Sequence, residues 1–279
     1  MLTTPNLYEV PWAILPEALD GYIEGAQNIQ AIESRPMPAK REKKASIAWL
    51  PLYGPISQKP DMWMELFGGT STEEFGAVFD GMMADSSIGA VLIEVDSPGG
   101  SVYGVHELSE KIFNARGKKP IIVAVNSLAA SAAYHIASAA DEIIVTPSGE
   151  VGSVGVFAMH TDISELEKQM GVKRTFVQAG KYKTEGNPYQ PLESEAQKAM
   201  QSRVDEYYDV MTADIGKYRG TTQLDVKRNF AEGRVVGATD AIRRGMADRE
   251  GTLEQVINRL RTKRTKRTIR SEFDLVRIQ

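Results

Sequence analysis

Ser131 stands in the run Asn126-Ser127-Leu128-Ala129-Ala130-Ser131-Ala132-Ala133-Tyr134, and Lys183 in Ala179-Gly180-Lys181-Tyr182-Lys183-Thr184-Glu185-Gly186-Asn187-Pro188-Tyr189. The first run sets a serine at the start of a small-residue helix, just after a buried strand. The second offers a lysine on an extended segment further along the chain. A hydroxyl at a helix N-terminus can attack a carbonyl while free backbone N–H groups and the positive helix end hold the developing oxyanion. A lysine amine can take the hydroxyl proton once burial or a cationic neighbour brings its pKa down from about 10.4. Tyr182, Pro188 and Tyr189 offer it an apolar wall. A serine nucleophile with a lysine base is a variant of the catalytic triad.

Each part also has a plainer explanation. Ser131 can be an ordinary N-cap, and most lysines are simply solvated. Ser127 lies in the same loop and competes as nucleophile. Lys181 points the same way as Lys183 on a regular strand, so spacing does not choose between them. His135 follows Ser131 by one helical turn, but two side chains on one helix leave little room for in-line attack.

Ser97-Pro98-Gly99-Gly100 closes a buried strand at the sheet edge where open α/β folds bind ligands. Its glycines let backbone N–H groups point into a cleft, so those of Gly100 and Ala132 can together make an oxyanion hole. The glycine spacing is not that of a dinucleotide site. Gly152-Ser153-Val154-Gly155-Val156 presents a serine able to orient the lysine. Gly99, Ser101 and Gly152 are the expected substrate-binding positions. Glu94 and Asp96, near the cleft, read as structural.

The elements that must hold these residues alternate. Strands are expected at Ile47–Leu52, Gly89–Val95, Pro120–Val125, Glu142–Val145, Val154–Met159 and Lys173–Gln178. Helices are expected from a capping box at Ser71-Thr72-Glu73-Glu74 to about Ala84, then to about Ala115, Ser131–Ala140, Ile163–Met170 and Leu192 to about Tyr218. Ser97 to Ser101 is read as a turn. Strands alternating with helices at this spacing mean an α/β fold with a largely parallel sheet flanked by helices. Residues 1–45 read as a helical arm (Leu15, Leu19, Tyr22, Ile23 on one face) and a polar linker, 46–258 as the main domain, and 259–279 as a basic tail. The tail reads as a solvated end, with a docking arm for an acidic partner or nucleic acid as the sharper alternative.

Composition narrows the function. The 279 residues carry a net charge of −4, so there is no global nucleic-acid signature. The absence of cysteine removes disulfides, thiol nucleophiles and Cys-ligated metals together. The three histidines (His106, His135, His160) are scattered, which argues against a metal site. No apolar run is long enough to span a bilayer, and residues 1–30 lack the basic start and apolar core of a secretory signal. The expected location is therefore the cytoplasm. No cofactor is expected.

Asp96-Ser97-Pro98-Gly99-Gly100, Ala129-Ala130-Ser131, Val151-Gly152-Ser153-Val154-Gly155-Val156 and Tyr182-Lys183 occur in the order that resembles the signal peptide peptidase family, Ser/Lys peptidases with a ClpP/crotonase-like fold. Gly233-Arg234-Val235-Val236 and Gly245-Met246-Ala247-Asp248 resemble that family's closing segment. The resemblance covers residues 46–260. Gly186-Asn187-Pro188-Tyr189 after the lysine, with Gln201-Ser202-Arg203-Val204-Asp205, is similar to the head-maturation branch found in lambda-like phages. The resemblance implies Ser131 as nucleophile, Lys183 rather than Lys181 as base, Ser153 as the lysine's hydrogen-bond partner, and the Gly100 and Ala132 N–H groups as oxyanion donors. It also implies a ring-like homo-oligomer, scaffold and capsid proteins as substrates, and a site inside the host cytoplasm or the phage prohead. The chain departs from the usual Ser-Gly-Gly or Ser-Ala-Gly with Ser131-Ala132-Ala133, which keeps the needed N–H. Small residues around Ser131 suggest a preference for small P1 side chains. Met62 to Phe67 offers an apolar loop for a subunit contact or for substrate. A host peptide-degrading enzyme, a non-proteolytic assembly module and a crotonase-like acyl-CoA enzyme are the alternative readings.

Overall fold

The computed structural model describes residues 11–19, 47–60, 64 and 68–261. In chain order the elements are β1 (Trp12–Ile14), β2 (Ile47–Tyr53), β3 (Ile56–Ser57), β4 (Thr70–Ser71), α1 (Thr72–Ala84), β5 (Ala90–Ser97), β6 (Gly99–Ser101), α2 (Val105–Asn114), β7 (Ile121–Ala130) and α3 (Ala132–Ser138). There follow β8 (Glu142–Val145), β9 (Glu150–Gly152), α4 (Ser164–Gln169), α5 (Ser194–Arg219), α6 (Gln223–Asn229), β10 (Val235–Gly237), α7 (Ala238–Arg243) and β11 (Arg249–Glu250). Residues 253–261 are helical.

A seven-stranded sheet runs β10-β9-β7-β5-β2, with β8 beside β7 and β11 beside β8. All its pairings are parallel except β10 with β9. The fold is thus α/β with a mostly parallel sheet flanked by helices. The apolar runs of β5, β7 and β8 alternate between two covered faces, as a sheet buried on both sides requires. Val91, Ile93, Val95, Val123, Val125, Ile143 and Val145 face the main core with Phe75, Phe79, Leu108 and Ile215. Leu92, Ile122, Ala124 and Ile144 face Val256 and Leu260. Each large aliphatic side chain so buried contributes about 1.5–3 kcal/mol.

α1 begins where the capping box put it: the Ser71 hydroxyl accepts from the Glu74 N–H at 3.3 Å. A second sheet, β1-β6-β3-β4, lies at the end of β5. Here the sequence expectation is corrected. Gly99–Ser101 is a strand, not a turn, because its backbone is paired on both sides: antiparallel to Trp12–Ile14 and parallel to Ile56. Trp12–Ile14 in turn is strand, where a helical arm was expected; among the described residues of that arm only 16–19 are helical. The remainder of the arm, the linker, the tail beyond 261 and, Met64 apart, the 62–67 loop lie outside the described residues.

Two further expectations change. β7 continues through Asn126–Ala130, read as loop, because it shifts register against β5 after Val125 and exchanges β8 for β9 as its neighbour. That switch delivers Ser131 to the edge of the second sheet. Residues 154–159 and 173–178 are not strands. The former has only the bridge between Phe157 and Trp12; the latter has no neighbouring strand among the described residues and is exposed throughout.

Candidate active site

Ser131 follows the last residue of β7 and takes the N-cap position of α3 with φ 56° and ψ −115°. A non-glycine residue in that region pays about 1–3 kcal/mol, a cost surrounding structure must hold in place. The holding groups are visible. Its N–H donates to the Gly152 carbonyl at 2.7 Å, and its carbonyl accepts from the His135 N–H at 2.9 Å. Its hydroxyl donates to the Gly155 carbonyl at 3.2 Å. Ser131 is fully buried. Its side chain makes no capping bond to the helix, so the plain N-cap explanation does not describe it. Ser127, the competing candidate, is exposed within β7.

Ser153 has φ 51°, and with Ser131 and Glu232 completes the non-glycine residues of positive φ among those described. Its N–H donates to the Arg234 carbonyl at 2.8 Å. Gly152 must be glycine: at φ 133° an added Cβ would lie 2.4 Å from the Arg234 carbonyl oxygen. Gly100 is equally constrained, since a Cβ there would meet the Ile56 carbonyl oxygen at 1.9 Å. Gly99 and Ser101 flank it in β6. Ala132 opens α3, fully buried. The 152–155 loop, the N-terminus of α3 and β6 therefore converge at the end of β7.

The lysines are placed differently. Lys183 is exposed in the turn 181–186, and its ammonium makes no hydrogen bond to Ser131 or Ser153. Lys181 is held by Glu195 at 2.8 Å and by the Tyr182 hydroxyl at 2.9 Å. The Glu195 bond, then that of Tyr182, pushes its ammonium pKa up, the wrong direction for a base. No residue from 155 to 195 is buried, and Leu166, Met170 and Val177 stand bare on this stretch.

His135 does not pair with the serine. Its Nε2 lies 2.9 Å from Asp214 Oδ2, the same oxygen that His106 Nδ1 meets at 2.6 Å. Burial works to raise the Asp214 pKa, yet the two imidazole hydrogen bonds outweigh it and hold the carboxyl below its ordinary value. The bond to Asp214 pushes the His106 pKa up. Asp214 went unnoticed in the sequence; a lone acid among the apolar positions of a long helix was the available signal. Glu94 is buried and takes the Asn126 amide at 2.9 Å. A cavity of about 330 Å³ lies between Ala13, Val102, His135, Val156, Tyr207 and Met211. No cluster of His, Asp or Glu among the described residues could hold a metal ion. No described helix is long and apolar enough to cross a membrane.

Comparison with known proteins assigns the chain to a family. The family profile described as Peptidase family S49 matches residues 114–267. The chain is 32% identical over 183 residues to a putative protease of Methanocaldococcus jannaschii, covering 66% of this chain and 58% of that protein. It is 29% identical over 202 residues to capsid assembly protease C of Escherichia phage lambda, covering 72% of this chain and 46% of that one. The chain thus spans about half the length of the curated relatives it matches. Among solved structures, a mutant ClpP1 from Listeria monocytogenes aligns at a TM-score of 0.45 and 14% identity, over 73% of this chain and 91% of that one. The S49 profile covers more than half of the sequence, Ser131, Ser153 and Lys183 included, and the chain belongs to peptidase family S49.

Proposed function

We propose that this chain is a serine endopeptidase in which Ser131 is the nucleophile and Lys183 the general base. The observation that carries the reading is the backbone of Ser131: buried, strained, and set between β6 and the N-terminus of α3. Neutral Lys183 takes the proton from the Ser131 hydroxyl as Oγ attacks the scissile carbonyl carbon. The Gly100 and Ala132 N–H groups hold the oxyanion. Collapse breaks the C–N bond, Lys183 returns the proton to the leaving amine, and water activated by Lys183 then hydrolyses the ester and releases the Ser131 hydroxyl. Ser153 orients the lysine. Gly99, Ser101 and Gly152 shape the groove for an extended peptide.

Lys183 sits on the stretch that bares Leu166, Met170 and Val177. Covering that face with a second copy of the chain would bury apolar surface and withdraw the Lys183 side chain from water together. This supports the homo-oligomer reading, with activity gained on assembly. The likeness to a phage capsid assembly protease supports scaffold and capsid proteins of a phage as the substrates. The test is incubation with phage scaffold and capsid proteins, read by intact mass. Discrete cuts lost in both Ser131→Ala and Lys183→Ala are expected; cuts that persist in Ser131→Ala overturn the assignment.

A further inference from the structure

We infer that Trp12–Ile14 occupies the peptide-binding groove of this chain's own active site and closes it to substrate. The inference rests on the peptidase reading of Ser131 and concerns the regulation of that same site.

A peptidase of this kind grips its substrate as an added β-strand, by backbone hydrogen bonds on both sides. Trp12–Ile14 is held in that way. On one side it runs antiparallel to β6, with Ile14 opposite Gly99, Ala13 opposite Gly100 and Trp12 opposite Ser101. On the other, Trp12 exchanges both backbone bonds with Phe157: Trp12 N–H to the Phe157 carbonyl at 2.8 Å, and Phe157 N–H to the Trp12 carbonyl at 3.0 Å. The strand therefore lies between the two segments that border Ser131, the glycine strand and the extension of the 152–155 loop.

The register is specific. Leu15 N–H donates to the Pro98 carbonyl at 2.9 Å, and Val102 N–H to the Pro11 carbonyl at 3.5 Å. Antiparallel ladders alternate bonded and non-bonded pairs, so Ala13 and Gly100, midway between those contacts, form a bonded pair. The Gly100 N–H, assigned to the oxyanion, is thus directed at the Ala13 carbonyl. Close approach at this point is independently visible: a Cβ on Gly99 would lie 2.2 Å from the Ala13 carbonyl oxygen and 3.0 Å from that of Ala130, the residue before Ser131. Ala13 stands where the residue before a scissile bond would stand. Its small side chain matches the small P1 residue expected from the alanines around Ser131, and it borders the 330 Å³ cavity. Ala13 and Ile14 are buried in this position.

The test separates occupancy from turnover by working in the 279-residue chain carrying Ser131→Ala. The probe is a fluorescein-labelled peptide copying residues 9–17, with binding read by anisotropy. Trp12→Pro with Ala13→Pro removes two N–H donors of the strand, and is expected to bind the peptide at least tenfold more tightly than the parent. Trp12→Cys with Phe157→Cys joins bonded neighbours across the ladder, at a spacing a disulfide accepts. The natural chain has no cysteine, so no other disulfide can form within one chain, and non-reducing electrophoresis identifies any disulfide between chains. Its oxidised form is expected to bind at least tenfold more weakly than its reduced form. Equal binding by oxidised and reduced forms overturns the inference, and this comparison holds even where the proline variant fails to fold. Absence of casein hydrolysis by an assembled Trp12→Pro/Ala13→Pro protein that keeps Ser131 and binds the peptide would count against the peptidase reading alone, because peptide binding does not need the hydroxyl.

Discussion

His135 Nε2 and Asp214 Oδ2 lie 2.9 Å apart beneath the helix that Ser131 opens, and His106 closes on the same carboxylate oxygen at 2.6 Å. A histidine that follows the nucleophile by one turn is thereby committed to α5 and tethers the α3 helix.

This network makes stability depend on pH. Hydrogen bonding to Asp214 raises the folded pKa of His106 above its ordinary 6.5, so its contribution is complete below about 6.5 and fades as pH rises through the folded value. Asp214 has a folded pKa below its ordinary 3.8, so its contribution is complete above about 3.8 and fades as pH falls through the folded value. The network stabilises most between those limits. Asp214→Asn should lower stability by about 2–3 kcal/mol at pH 6 and flatten the thermal-unfolding profile above it. A mutant profile parallel to wild type would refute this.

Ser131→Ala should leave the melting temperature close to wild type, because the hydroxyl makes one 3.2 Å bond, while reducing turnover by roughly 10³-fold or more. Both can be read on the same preparation, by calorimetry and by hydrolysis of labelled casein.

Lys183→Ala should abolish hydrolysis as fully as Ser131→Ala. Lys181→Ala should not, because Lys181 is bound to Glu195 at the surface. Equal loss in both would place the base elsewhere or make the Glu195 contact part of the site.

Arg116 holds the other end of α3. Its guanidinium donates to the carbonyls of Ser138, Ala139, Ala140 and Tyr218 at 2.6–3.0 Å, satisfying groups a helix C-terminus leaves open. Arg116→Ala should cost on the order of 3 kcal/mol, read as a drop in the denaturant midpoint with unchanged slope.

Glycines here separate by environment. Gly100→Ala drives a Cβ into the Ile56 carbonyl at 1.9 Å and should destabilise by about 3 kcal/mol or more. Gly81→Ala, in α1 with nothing near the new methyl, should stabilise by about 0.5–1 kcal/mol. Urea unfolding of the two variants against wild type measures both effects.

The sequence by itself determined the parallel core, because strands buried on both faces must be near-continuous apolar runs, as Val91–Val95 (Glu94 apart) and Ile121–Val125 are. It determined the start of α1, because a Ser-x-x-Glu cap acts within one turn. It offered Ser131, Ser153, Gly100 and Gly152 as positions of chemical interest through the order of their motifs, while each motif alone reads equally as a cap or a turn. Only the tertiary structure decided what depends on distant partners. The strain at Ser131 is set by the carbonyls of Gly152 and Gly155, and the fate of His135 by Asp214 on another helix. The strands at Trp12–Ile14 and Gly99–Ser101 exist because each supplies the other's hydrogen bonds across some eighty intervening residues, a pairing that no local periodicity encodes. For the same reason Lys173–Gln178, with the composition of a strand and no neighbour among the described residues to pair with, is not one.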